Sequence, residues 1–139
     1  MTVLKRGLLV AIFVGQLVTS TLIGWTQASA SLRSRIPKPD PKKYHTVRDA
    51  KDWKNPYLVV RRDGIEIVGI TAVGHAIAVD SVPGVLKGLP DSAWPYGLVV
   101  AVQDIGLTSQ GDPPRIEANR QKLLTLLKKL GIAVDLWPS

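Results

Sequence analysis

The chain contains no cysteine. That single absence removes disulfides, thiolate metal sites, thiol nucleophiles and cysteine lipidation, and it leaves the redox compartment unmarked. Histidine is nearly missing as well. His45 and His75 are the only two, too few for a three-histidine zinc site and not at the spacing of a helical metal-binding pair. No metal or cofactor is expected. There is no G-x-S-x-G nucleophile elbow, and the glycines Gly64 and Gly69 have phosphate-loop spacing without the lysine that such a loop needs. These absences point away from an enzyme.

Acidic residues are outnumbered, 11 against 18 Lys and Arg, for a net charge of +7. The excess is not spread along the chain. Seven of the basic residues and only Asp40 of the acids precede Tyr44, so the chain from Tyr44 onward holds 11 basic against 10 acidic residues. A nucleic-acid-binding domain carries its positive charge on a folded face, whereas this charge sits ahead of the folded part. Nucleic acid is therefore not an expected partner. Length (139 residues), 45% hydrophobic and 21% charged content describe one globular domain.

Residues 1–30 read as an export signal. Lys5 and Arg6 form a positive start, Leu8 to Val18 is strongly apolar, and Ala28-Ser29-Ala30 has the small-x-small form of a signal-peptidase site. The rival is an uncleaved membrane anchor, because Leu8 to Trp25 spans roughly 27 Å as a helix against a hydrocarbon core of about 30 Å. Five basic residues follow the apolar run and two precede it, which favours a cytoplasmic C-terminal side if the anchor is kept. The specific cleavage motif favours export, periplasmic or extracellular. Residues 31–43 then carry prolines 37, 39 and 41 among basic residues, the pattern of an extended linker. Membrane contact is expected through residues 1–30 if they stay attached; for this basic stretch an ordinary solvated linker is the favoured reading, with contact to anionic head groups the alternative.

The domain is placed at residues 44–139. Thr46 followed by Asp49 predicts a short helix ending near Trp53. Asp63-Gly64 between two β-rich runs, Tyr57 to Arg62 and Ile65 to Ile70, predicts a hairpin with a two-residue turn, Ile65 and Ile67 inward and Glu66 outward. Asp80 is the expected cap of a short helix with Pro83 in its first turn. Leu98 to Val102 is an unbroken apolar run, the mark of a central strand covered on both faces. Asp112, Pro113 and Gly131 bound the longest helix, whose Ile116, Leu123, Leu127 and Leu130 form an apolar stripe widened by Leu124 and Leu126. Ile132 to Trp137 is a last strand. Helical crossovers make parallel neighbours and the hairpin an antiparallel pair, so the fold class is α+β, a small mixed sheet with two helices on one face behind a signal or anchor helix.

Three stretches carry a resemblance. Asp63-Gly64-Ile65-Glu66-Ile67, Val100-Ala101-Val102-Gln103-Asp104 and Leu130-Gly131-Ile132 are similar to the hairpin, central strand and helix-to-strand junction of the periplasmic domain of the ExbD and TolR proteins. The resemblance covers Tyr57 to Ser139 and implies an envelope-facing interaction role. Proton-driven energy transduction does not carry over, because that family has an acidic residue in its membrane helix while Leu8 to Trp25 holds neither Asp nor Glu.

Two groups of residues are candidate sites. Asp104, Thr108, Ser109, Gln110 and Asp112 lie in the loop beyond the central strand and before a helix N-terminus, where ligands of open sheets bind. Trp53, Trp94, Tyr96 and Trp137 sit at element ends and are candidates for a partner-binding patch, against the plainer reading that they pack on the core. The expectation is a non-enzymatic, exported interaction module with an envelope protein as partner. The alternatives are a small hydrolase-like enzyme using the Asp104 to Asp112 loop, or an anchored domain facing the cytoplasm.

Overall fold

The computed structural model describes residues 32–104 and 112–138. A folded unit runs from Arg33 to Ser139. Its strands are the β-branched segments: β1 (Tyr57–Arg61), β2 (Gly64–Ile67), β3 (Val99–Asp104) and β4 (Ala133–Trp137), with helices α1 (Val82–Lys87) and α2 (Pro113–Leu130) between them. The sheet order is β2-β1-β3-β4. β1 and β2 are antiparallel, while β1 with β3 and β3 with β4 are parallel. This is the mixed α+β sheet that the pattern of runs predicts. The export or anchor segment, residues 1–30, lies outside the described residues, among which no helix is long and apolar enough to cross a membrane.

The hairpin differs from expectation by one residue. Arg61 pairs with Gly64, so the two-residue loop is Arg62-Asp63 and not Asp63-Gly64. Gly64 opens β2 at φ 145°, and no described non-glycine residue has positive φ. A Cβ there would stand 2.1 Å from the Ile77 carbonyl oxygen. Gly64 is thus needed because another stretch of backbone crosses β2 at that point. The crossing is a single antiparallel bridge, Ile65 with Ile77. β2 itself stops at Ile67, short of Ile70, because the Thr71 hydroxyl takes the Ile67 N–H at 3.1 Å and the Thr71 N–H turns back to the Ile67 carbonyl at 2.9 Å.

Two caps also differ. Ala50–Asp52 is a single 3-10 turn capped by Asp49, whose carboxylate accepts from Lys51 N, so no helix starts at Thr46. Asp80 does not cap α1; it belongs to a 3-10 turn, Val79–Ser81, and its carboxylate is 2.9 Å from Lys122 Nζ. The long helix is as expected: Asp112 accepts from Arg115 N, Pro113 is in its first turn, and Gly131 ends it in the left-handed conformation.

β1 and β3 are interior strands, and successive side chains point to opposite faces. Leu58, Val60, Val100 and Val102 are fully or almost fully buried, as are Leu123 and Leu127 of α2, which lies over β1, β2 and β4 and meets α1. On the opposite face, Tyr57, Val99 and Ala101 are covered by Trp53 and Tyr96. The unbroken run Leu98 to Val102 is therefore apolar because one of its faces meets the helices and the other an aromatic layer.

That second layer is held by chain read as linker. Residues 37–40 are extended, in keeping with their prolines, but docked: Leu98 N–H donates to Pro37 O and Asp40 N–H to Tyr96 O, both at 2.9 Å. Arg33 Nε and Nη2 donate to the carbonyls of Leu130 and Lys129 at the end of α2, each at 3.1 Å. Arg35 lies 3.4 Å from Asp91. Part of the charge excess ahead of Tyr44 is thus engaged at helix ends and turns.

Candidate functional site

Five aromatic rings gather on the face away from the helices. Trp53 stands at the centre, 5.5 Å from Tyr44, 5.0 Å from Tyr96 and 5.7 Å from Trp137 between ring centroids, and Trp137 reaches Tyr57 at 5.5 Å. These four contacts are edge-to-face, the arrangement the ring quadrupole favours, and Tyr44 and Tyr96 make a fifth, tilted contact at 5.7 Å. Strand register places Trp137 beside Gln103 and Tyr57 beside Ala101, so alternate residues of β1, β3 and β4 supply the floor.

Buried polar groups fix this layer. Asn55 Nδ2 donates to the carbonyls of Gly97 and Val99, both at 2.8 Å, and its Oδ1 accepts from Tyr96 N at 2.9 Å. Trp53 Nε1 donates to Pro56 O at 3.2 Å, and the Tyr96 hydroxyl donates to Asp52 O at 3.2 Å. These bonds tie the 52–56 segment to the entry of β3 before any side chain is offered to a ligand.

Where the layer ends, a cleft of about 460 Å³ opens between the 47–50 segment and the end of β4. Its walls include Arg48, Asp49, Tyr57, Gln103, Asp135 and Trp137. The Tyr57 hydroxyl donates to Gln103 Oε1, and Gln103 Nε2 donates to Pro138 O at 2.8 Å. Burial pushes the Tyr57 phenol above its ordinary value of 10.0, so it is a protonated donor at neutral pH. Asp135 Oδ2 accepts from Trp137 Nε1 at 2.9 Å, which fixes the indole edge. Asp135 forms no ion pair among the described residues, and its charge helps to raise the Tyr44 phenol, second to burial. The cleft thus offers an aromatic wall, two carboxylates and an amide.

Of the tryptophan and tyrosine candidates, three come together: Trp53 and Tyr96 are buried, and Trp137 is partly buried at the cleft. Trp94 stands apart from them, buried after the Asp91–Ala93 turn with an indole N–H that has no acceptor among the described residues. In the loop candidate, Thr108, Ser109 and Gln110 lie outside the described residues. Asp104 is 3.7 Å from Arg120, itself paired with Glu117 at 2.7 Å, and Asp112 caps α2. Both described acids of that loop therefore have structural partners. Reading by residue type missed Tyr44, Arg48, Tyr57, Gln103 and Asp135. The alternation of Ala133, Asp135 and Trp137 in the last strand was the signal that could have joined Asp135 to Trp137.

No family model, curated protein or solved structure matches the chain.

Proposed function

We propose that this chain is an exported, non-enzymatic interaction module of the cell envelope that binds a partner protein through the Tyr57 and Trp137 cleft. One observation carries the reading: the partly buried Trp137 stands in the wall of an open cleft, fixed by Asp135 and by two other rings. Rigid aromatic groups at a rim are what partner surfaces use to gain contact area at little entropic cost. Export is supported by the Lys5-Arg6, Leu8 to Val18 and Ala28-Ser29-Ala30 pattern, and by the folded unit beginning at Arg33, close behind the expected cleavage site. The ExbD and TolR resemblance supports an envelope setting and nothing of proton-driven work.

The test is site-specific photo-crosslinking in a bacterial host. A photoreactive residue at Arg48, exposed on the cleft, should give a discrete crosslinked protein that Trp137→Ala abolishes, while the same group at exposed Lys128 on α2 gives none. Crosslinks from both positions, or from neither, would defeat the reading. Fractionation with N-terminal sequencing tests export; a mature chain starting at Ser31 is expected, and intact Met1 in the membrane fraction would replace export by anchoring.

A further inference from the structure

The sheet has two edges, and they are treated differently. Along β2 the outer side is closed, because Ile65 and Ile77 exchange both backbone hydrogen bonds at 2.8 Å. Along β4, among the described residues, no segment pairs with the outer side. Ala133 N–H donates to Leu98 O at 3.0 Å, so Ala133, Asp135 and Trp137 turn their backbone groups to β3. By alternation, the N–H and C=O groups of Val134 and Leu136 point away from the sheet. Natural proteins blunt such an edge with lysine, proline or a bulge, and the five residues of β4 contain no Lys or Pro and keep regular register. Leu136 is 60% exposed and belongs to the rim of the cleft, and by alternation its side chain leaves the strand on the face opposite those of Asp135 and Trp137.

We infer that β4 accepts an extended segment of the partner protein as a fifth strand, with its side chains lying alternately in the cleft and beside Leu136, and with a basic residue opposite Asp135. The inference rests on the cleft reading above and names the form of the ligand. Asp135 sets the charge: it has no cation among the described residues, whereas Asp49, the other acid of the cleft, is 3.4 Å from Lys51.

A second copy of this chain fits the edge poorly. Two-fold antiparallel pairing that uses both Val134 and Leu136 sets Asp135 directly opposite the other copy's Asp135, a like-charge pair at the closest spacing a sheet offers. Shifting the register one way brings in Ile132, whose N–H is already given to Leu127 O at 3.0 Å. Shifting it the other way brings in Pro138, which has no N–H. A foreign strand with a cation at that position meets none of these obstacles.

The probes are four blocked octapeptides alternating valine with lysine, arginine, glutamate or threonine, added to the full chain while backbone amide resonances are followed. The lysine and arginine peptides should shift the amides of Val134 and Leu136 and bind at least tenfold tighter than the glutamate peptide. N-methylating the valines keeps charge and removes the strand donors, and should weaken binding at least tenfold. Leu136→Pro removes an outward N–H while leaving the bonds to β3, and should do the same, whereas Leu136→Ala, which keeps that N–H, should weaken binding less and Lys128→Ala on α2 should leave it unchanged. Equal binding of methylated and unmethylated peptides would overturn strand addition and leave the cleft reading standing. Absence of any shift with all four peptides overturns it too, as does a concentration-dependent dimer that Leu136→Pro dissolves, which would make the occupant a second copy. Arg48 crosslinking decides the cleft reading separately.

Discussion

Asn55 and Tyr96, 41 residues apart in the chain, are joined by a buried hydrogen bond of 2.9 Å from the Tyr96 N–H to Asn55 Oδ1. The same side chain gives both amide protons to Gly97 and Val99 carbonyls, so one asparagine satisfies three backbone groups at the entry to the central strand. Everything on the aromatic face is hung from this junction.

Asn55→Ala should therefore be costly. It strips the Tyr96 N–H and the Val99 carbonyl of the bonds Asn55 gives them and leaves the Gly97 carbonyl with the Val99 N–H alone, in a site where Asn55 is only 5% exposed, and each buried orphan costs about 1 to 3 kcal/mol. With partial relaxation, a loss on the order of 3 kcal/mol is expected from urea unfolding. A loss below about 1 kcal/mol would mean that water reaches the junction and that it does not organise the face.

Glu66 gives a pH prediction. The hairpin alternation places it outward; it does lie on the face opposite Ile65 and Ile67, but the 68–75 segment covers it and it is 8% exposed. Its carboxylate meets Arg61 Nη2 at 2.8 Å and the Gly74 N–H at 3.0 Å. Burial raises its pKa, but the Gly74 amide, Arg61 and the nearby His75 outweigh this and hold it below the ordinary 4.5. A folded value below the unfolded one contributes stability that is present above the unfolded value and lost as pH falls through the folded one. Glu66→Gln should accordingly flatten the decline in stability below about pH 4.5, the ordinary value, measured as urea midpoint against pH. An unchanged acid limb would remove Glu66 as its source.

Gly64 is decided by backbone rather than by turn chemistry. With φ 145° and an Ile77 oxygen 2.1 Å from any Cβ, even alanine must push the 77 segment off β2. Gly64→Ala should cost about 1 to 3 kcal/mol, the range for strained backbone, and should loosen the Ile65 and Ile77 amides in hydrogen exchange. Unaltered protection at both amides would show that the bridge moves freely.

Local pattern was the legible part of this chain. The β-rich and unbroken apolar runs found β1, β3 and β4, the heptad-like spacing found α2, and Asp112, Pro113 and Gly131 marked the helix ends, because these signals are local. The docking of residues 33–43 was not legible. Arg33 reaches Leu130 across 97 residues, and a basic, proline-rich composition looks the same whether solvated or pinned to a helix end. The outward Glu66 failed for a related reason: alternation assigns a face but does not say what a later loop folds over it. At the candidate site, collecting aromatics at element ends joined Trp53, Tyr96 and Trp137. It could not separate out Trp94, and it passed over Tyr57, Gln103 and Asp135, which only strand register brings to the cleft.

The last prediction takes the helix face. Leu127 is fully buried on α2, while its neighbour Lys128 is exposed and has no ion pair among the described residues. Leu127→Ala removes a buried side chain from close-packed surroundings and leaves a cavity that β1, β2 and β4 cannot collapse to fill without breaking register. It should cost about 2 to 5 kcal/mol, against the 5 to 15 kcal/mol that typically holds a domain of this size. Lys128→Ala should stay within about 0.5 kcal/mol. Because α2 covers the sheet face away from the cleft, Leu127→Ala should also lower the melting temperature without changing crosslinking from Arg48 in the fraction that remains folded. Equal losses for the two substitutions would mean that the apolar stripe does not face the sheet, and the division into a helix face and a binding face would fail with it.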